Sequence, residues 1–199
     1  MSNSALLLLD LQNDICHTEG VFHKNGLDCS NFIKIIPSIV DIIFFCKENH
    51  IPIISMQHSV LESNNLAIGL GIYKKTIPFL EREGLRENSW GQDLLDEIKN
   101  NIDYKVKRWT MSAFYHTELV RYLISLRINQ LILAGRTTNE MVETAAREAA
   151  ARNYNVITLS DCTASYSEKM HLASLTNLNC FTKVIASKNL QESFFQEKI

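Results

Sequence analysis

Short runs of apolar residues alternate along the chain with longer segments of helical periodicity. Most of the runs are continuously apolar, which is typical of strands in a parallel sheet covered on both faces. The pattern predicts strands at 5–10, 51–56, 103–107, 130–134, 155–160 and 181–187. It predicts helices at 37–49, 91–100, 116–127, 139–153 and 168–178. Repeated strand–helix–strand units imply right-handed crossovers, so we expect a three-layer α/β/α fold around a six-stranded, mostly parallel sheet.

The section 57–90 is the least regular part of the chain, and a loop of that length is usually a lid or a binding loop. No Pro/Gly-rich linker and no internal repeat divides the sequence, so residues 1–199 are predicted to form a single domain. A domain of this size buries roughly 70% of its unfolded surface. Its core therefore needs neither a disulfide nor a metal.

Charge and cysteine content narrow the classes of partner. The chain carries 20 Lys and Arg against 22 Asp and Glu, with no run of one sign, which argues against nucleic acid or a membrane as partner. The apolar run Ala5–Leu9 is too short for a signal peptide or a membrane span. The five cysteines show no CxxC spacing and the six histidines are dispersed. We therefore expect a cytoplasmic protein without a metal site or other cofactor.

Ligands of doubly wound sheets bind beyond the carboxyl ends of the strands. Asp10 closes the first strand, and a carboxylate there needs a partner or a purpose, although it could simply cap a turn. Lys107 and Arg108 follow the third strand and could face that carboxylate or lie in solvent. After the fourth strand comes a glycine and a helix that begins near Asn139, whose free N–H groups could hold an anion.

Three segments together resemble the isochorismatase-like hydrolase superfamily, which includes nicotinamidases, ureidoacrylate hydrolases and isochorismatases. LLLLDLQND (6–14) is similar to the first-strand motif, and SAFYHTEL (112–119) to the Ser-Ala-Phe-x-x-Thr-x-Leu motif. GRTTNEMVETAAREA (135–149) matches the family pattern around its nucleophile without a gap. The resemblance covers about 5–187 and implies an Asp, a Lys and a Cys that act as base, electrostatic partner and nucleophile.

This sequence departs from that triad at two positions. Asp10 falls on the aspartate, but the ungapped match places Met141 on the cysteine, and a thioether forms no acyl intermediate. The lysine position falls on Arg108, or on Lys107 if one residue is inserted before Ser112. Arg108 is favoured, with Lys107 on the opposite face of the strand. Cys16 and Cys162 are more simply interpreted as buried, inert thiols.

The remaining residues of the family site have predicted roles. The resemblance implies a cis peptide at Arg136–Thr137, which would direct amide groups at an oxyanion, and Gln12 as the residue that orients the substrate. In the loop 57–90, Trp90 is a candidate substrate contact. The metal-binding members carry an Asp-x-His pair where this chain has Gln57 and His58, so no catalytic metal is expected.

Two functions are favoured, and an ordinary amidase hidden by a misread register is the remaining alternative. In the first, the chain is a hydrolase without a cysteine nucleophile, as isochorismatases are, and Asp10 is the general acid or base on a small anionic substrate. In the second, it is a non-catalytic protein that keeps the fold and binds a small molecule or a partner. Family members often form dimers or tetramers, so a homo-oligomer is expected in either case.

Overall fold

The computed structural model describes residues 3–64 and 66–196, and its centre is a sheet of six parallel strands. The strands lie in the spatial order β5-β2-β1-β6-β7-β8. Their bounds are β1 Ser4–Leu9, β2 Ile53–His58, β5 Tyr104–Arg108, β6 Gln130–Arg136, β7 Asn155–Ala164 and β8 Lys183–Ile185. Strand order reverses on the two sides of β1, which places the ligand-binding switch point at its carboxyl end. The predicted fold class is confirmed.

Helices cover both faces of the sheet. The longest are α4 Ile36–Glu48, α6 Leu119–Ser125, α7 Glu143–Ala150, α8 Glu168–Leu178 and α9 Ser187–Gln196. Single turns of helix form α1 Asn13–Cys16, α2 Val21–Lys24, α3 Ser30–Lys34 and α5 Tyr73–Thr76. Two 3₁₀ turns lie at Pro78–Glu81 and Lys99–Asn101. A π-helical turn, Thr138–Val142, leads directly into α7.

Side chains of β1 alternate between two apolar clusters. Leu6 and Leu8 pack with Phe32, Ile39 and other side chains on the α4 face of the sheet. Ala5, Leu7 and Leu9 pack in the second cluster, together with α6 and α7. Because both faces of the strand are covered, β1 contains no polar position between Ala5 and Leu9. The continuous apolar run is therefore explained by a buried central strand.

The prediction of a helix at 91–100 is wrong. Backbone groups of this segment pair with the chain after β1: the Leu95 N–H donates to Leu11 O at 3.1 Å, and Gln12 and Leu94 form an antiparallel bridge. Only the 3₁₀ turn Lys99–Asn101 is helical. Local periodicity cannot reveal hydrogen bonds to a segment some 80 residues away, and here those bonds determine the backbone.

The predicted loop 57–90 has more structure than expected. It contains the antiparallel pair β3 Leu61–Ser63 and β4 Leu66–Ile68, followed by α5 and a 3₁₀ turn. The helix predicted at 116–127 is shorter in the structure, as is the one at 139–153, which begins as the π turn. No helix in the part of the chain that the structure describes combines the length and apolarity needed to cross a bilayer.

Candidate active site at the carboxyl ends of β1, β5 and β6

Asp10 and Arg108 form a buried ion pair at the switch point. Asp10 follows β1 with a φ of 56°, a left-handed conformation that Asp tolerates better than most residues. The Arg108 Nε donates to Asp10 Oδ1 at 3.0 Å, and its Nη2 donates to Oδ2. Only 3% of Asp10 and 1% of Arg108 is exposed. The carboxylate at the end of an apolar strand is therefore matched by a two-pronged guanidinium contact.

Strand alternation separates Arg108 from Lys107. In β5 the side chain of Arg108 is buried at the site, whereas Lys107 is partly exposed and pairs with Glu87. The geometry is therefore the one that the period of two predicts, with Arg108 beside the aspartate. The catalytic roles of Asp10, Arg108 and Lys107 stay predictions.

Tyr73 and His58 complete the surroundings of the pair. The Arg108 Nη1 lies 3.5 Å from the Tyr73 hydroxyl, and the Tyr73 ring packs 4.9 Å from the His58 ring. Burial opposes the charged form of Arg108, but the Asp10 carboxylate and Tyr73 outweigh it and raise the pKa of the guanidinium. Burial, and then Arg108 and Arg136, lower the pKa of His58 well below its usual value. His58 is therefore a neutral imidazole beside two cations.

The turn after β6 requires glycine. Gly135 has a φ of +120°, and a Cβ there would lie 2.3 Å from the Leu9 carbonyl oxygen. This close approach of β6 to β1 brings Arg136 to the edge where Asp10 lies. The Arg136–Thr137 peptide is cis, as the resemblance implies. The Thr137 hydroxyl donates to Glu140 Oε2 at 2.8 Å.

Met141 lies in the π-helical turn and is 2% exposed. Its side chain belongs to the apolar cluster that contains Leu9, Ala113 and Val142. A thioether at this position has no proton to lose and no nucleophilic anion. The position that carries the nucleophile in the related hydrolases is therefore part of the core in this chain.

Burial limits the reactivity of Cys16 and Cys162. All five cysteines are free, and four of them are buried. Cys16 lies nearest to the ion pair, with its Sγ 3.7 Å from Asp10 O. Burial raises the pKa of Cys16 to about 12 and raises that of Cys162 as well. Both thiols are therefore protonated at neutral pH, and the thiolate is the nucleophilic form.

Gln12 and Trp90 have structural contacts of their own. The Gln12 amide donates to His58 O at 2.9 Å and to Gln92 O at 2.7 Å, and it accepts the His58 N–H at 2.7 Å. These bonds connect the end of β2 to the segment that follows the section 57–90. Trp90 is 51% exposed and packs edge-on against His17. Their predicted contacts with substrate stay predictions.

Asp14 is buried, although the sequence favours a solvent-facing or capping role. Its carboxylate accepts the Leu85 N–H at 2.6 Å and the Val21 N–H at 3.2 Å. A Cβ on Gly91 would lie 2.1 Å from the same carboxylate. Asp14 thus anchors the end of the irregular section 57–90 to α2 through backbone hydrogen bonds.

Sequence reasoning missed the aromatic residues around Arg136. Phe22, Phe32 and Tyr166 come from three distant segments and meet only in the folded chain. His58 was detectable in principle, because it ends β2 beside the other strand ends. Among the residues that the structure describes, no group of three or more His, Cys, Asp or Glu side chains could hold a metal ion.

The fold and the paired Asp10 and Arg108 at its switch point define a three-layer α/β/α protein whose candidate site lies at the carboxyl ends of the strands. The family model described as Isochorismatase domain matches residues 4–189. The chain therefore belongs to the isochorismatase family, as a member without the nucleophilic cysteine.

Similar proteins carry the names of hydrolases, one of them with the words "probable inactive". A "probable inactive nicotinamidase" of Arabidopsis thaliana is 25% identical over 180 residues, which cover 88% of each chain. The ureidoacrylate amidohydrolase RutB of Acinetobacter baylyi is 26% identical and covers 89% of this chain and 78% of its own. The crystal structure of an isochorismatase-like hydrolase from Alkaliphilus metalliredigens aligns with a TM-score of 0.80 at 29% identity, covering 97% of this chain and 99% of its own.

Proposed function

We propose that this chain is a hydrolase of the isochorismatase family that works without a cysteine nucleophile on a small anionic substrate. Asp10 moves the proton, and Arg108 holds its carboxylate in place. The observation that carries the proposal is the buried Asp10–Arg108 pair in a site where Met141 stands at the nucleophile's position. General acid–base catalysis needs a positioned proton carrier and no covalent intermediate.

Charge at the strand ends supports an anionic substrate. Asp10, Arg108 and Arg136 lie at the ends of β1, β5 and β6 and are buried. Their formal charges sum to +1, and the partly buried Glu140 in the turn after β6 carries a charge opposite to that of Arg136. The positive charge of Arg108 offsets the negative charge of Asp10, so the Asp10 carboxylate repels an incoming anion only weakly. Arg136 then provides the attraction, in a place where water screens charge weakly.

A survey of candidate substrates tests the proposal. Purified chain is incubated with small amides, ureido acids and carboxylated enol ethers, and products are measured by liquid chromatography with mass spectrometry. We expect turnover of an anionic compound, no mass increase on any cysteine, and a loss of ~10²–10⁴-fold in Asp10→Asn. A transient mass increase on a cysteine, or full activity of Asp10→Asn, would refute this mechanism.

One observation favours the second function, a binding protein without catalysis. Both Asp10 oxygens accept hydrogen bonds from the same guanidinium, so its best-oriented lone pairs are occupied. A residue held in this way could serve only to shape an anion pocket. Saturable binding of an anionic compound that is never turned over, by wild type or by Asp10→Asn, would select this function.

We also propose a cytoplasmic homo-oligomer. Five free cysteines, four of them buried, suit a reducing compartment. Thiol titration of the freshly isolated protein under denaturing conditions should find five thiols, and a disulfide would contradict this. The oligomer is supported by exposed apolar side chains near the hairpin of β3 and β4, namely Leu61, Leu66, Ile68 and Ile72.

A further inference from the structure

Arg136 is a buried cation with an incomplete set of partners. Its side chain ends β6, and the residue is 4% exposed. Nη2 donates to the Tyr166 hydroxyl at 3.1 Å and lies 3.4 Å from Thr137 Oγ1. Nε is buried and has no hydrogen-bond partner, and no carboxylate of the described residues lies within ion-pair distance. A charged donor left in this state is costly, so the site is incomplete without an acceptor.

Aromatic rings stabilise the charge of Arg136 but do not accept a hydrogen bond from its unpaired Nε–H. The guanidinium carbon lies 4.5 Å from the centre of the Phe32 ring, 5.2 Å from that of Tyr166 and 5.7 Å from that of Phe22. Ring faces attract a cation. The Nε–H bond, however, lies in the guanidinium plane and needs an oxygen lone pair. The rings also provide apolar contacts for the atoms next to such an oxygen.

The surrounding charges limit how much negative charge an occupant can carry. Burial opposes the charged form of Arg136, but Tyr166, Cys16, Asp10 and Glu140 outweigh it and raise its pKa. Asp10 and Glu140 are therefore close enough to interact electrostatically with a ligand bound to Arg136. They would repel a second negative charge, so the field favours a monoanion over a dianion such as phosphate.

We propose that Arg136 is the receptor for the carboxylate of a small monocarboxylate ligand whose apolar part lies against Phe22, Phe32 and Tyr166. This inference rests on the proposed function, because it names the anion that the site takes. One carboxylate oxygen accepts from Nε, and the guanidinium keeps its bond to Tyr166. The family pattern around the nucleophile leaves this position unspecified, so Arg136 would set specificity in this chain rather than perform the chemistry.

Calorimetric titration of the full chain with benzoate tests the inference, with benzamide as the neutral isostere and phthalate as the dianion. Wild type should bind benzoate saturably and the other two at least about tenfold more weakly. Arg136→Met should weaken benzoate binding by at least about tenfold, and Arg136→Lys should lie between. Arg152→Met removes an exposed arginine that also stacks on a ring, that of Phe114, and should bind benzoate as wild type does.

Each outcome decides the inference separately from the proposed function. Absence of benzoate binding to wild type overturns the inference, as does unchanged binding by a folded Arg136→Met. If Arg136→Met does not fold, as judged by circular dichroism, Arg136→Lys decides, and unchanged affinity there also overturns it. Turnover that is lost in Asp10→Asn but unchanged in Arg136→Met would support the proposed function and overturn the inference about Arg136. Benzoate binding that is lost in Arg136→Met, without turnover of any substrate, would support the inference about Arg136 and overturn the proposed function.

Discussion

His58 is a buried histidine whose protonation changes on folding. It lies 4% exposed beside Arg108 and Arg136, and its folded-state pKa is lowered well below 6.5. The unfolded chain therefore binds a proton near pH 6.5 that the folded chain refuses. Stability from this group is complete above pH 6.5 and is lost as the pH falls from there toward the folded-state pKa.

This linkage predicts a measurable difference between variants. The free energy of unfolding of wild type should fall below pH 6.5 more steeply than that of His58→Gln, by up to ~1.4 kcal/mol per pH unit. Urea denaturation at several pH values measures it. His116→Gln, at an exposed position, is the matched control and should follow wild type. Parallel pH profiles for wild type and His58→Gln would show that His58 is not held neutral.

At the same scale, the sequence predicted the pairing at the site but not its surroundings. The proximity of Asp10 and Arg108 could be predicted because the carboxyl ends of parallel strands meet at one edge of the sheet. The alternation of side chains along β5 then selects Arg108 over Lys107. The partners of Arg136 could not, because Phe32 and Tyr166 lie in helices and loops whose packing is decided by the whole core. Of the two roles that the sequence allows for Asp14, solvent-facing or capping, the first is wrong, and the partner Leu85 could not be predicted because it lies 71 residues away.

The junction of β1 and β6 depends on one glycine. Gly135→Ala adds a Cβ 2.3 Å from the Leu9 carbonyl oxygen at a φ of +120°, so we expect a loss of about 2–4 kcal/mol in unfolding free energy. Gly26→Ala is the control, since Gly26 also has a positive φ but no heavy atom within 4 Å of the added Cβ, and should lose about 1 kcal/mol. Equal losses in the two variants, measured by chemical denaturation, would mean that the close approach of the strands does not matter.

The irregular section between β2 and β5 is predicted to depend on Asp14. In Asp14→Asn an amide N–H₂ replaces one acceptor opposite the Val21 or Leu85 N–H, at a cost of about 1–3 kcal/mol. Hydrogen exchange of the Leu85 amide should therefore become faster. Asp28→Asn changes an exposed carboxylate that accepts the Ser30 N–H, far from Leu85 along the chain, and should leave Leu85 unaffected. Unchanged exchange at Leu85 in Asp14→Asn would contradict the anchoring role.

The elements themselves were predictable to different degrees. Most of the six strands follow from continuous apolar runs, because a parallel strand that is buried on both faces carries apolar side chains on both of them. The helix expected at 91–100 failed because its backbone groups bond to residues after β1, which no local period encodes. The hairpin of β3 and β4 was missed because its strands are three residues each and exposed.

At the scale of the whole molecule, we expect a single cooperative unit that self-associates through one surface. Multi-angle light scattering should give a mass that is a multiple of 22.7 kDa, and Leu66→Lys should lower it by disrupting the exposed apolar hairpin. Ile124→Lys, an exposed apolar position on α6, is the control and should leave the mass unchanged. A wild-type mass of one chain at all concentrations would contradict the oligomer.

The central claim is that the chain performs hydrolysis through Asp10 and without any thiol. The most direct test compares Asp10→Asn with Cys16→Ala, which removes the thiol closest to the ion pair, on the anionic substrate found in the survey. We expect Cys16→Ala to keep the turnover number of wild type, and the turnover number of Asp10→Asn to be lower by ~10²–10⁴-fold. Loss of activity in a folded Cys16→Ala, or its retention in Asp10→Asn, would contradict the claim.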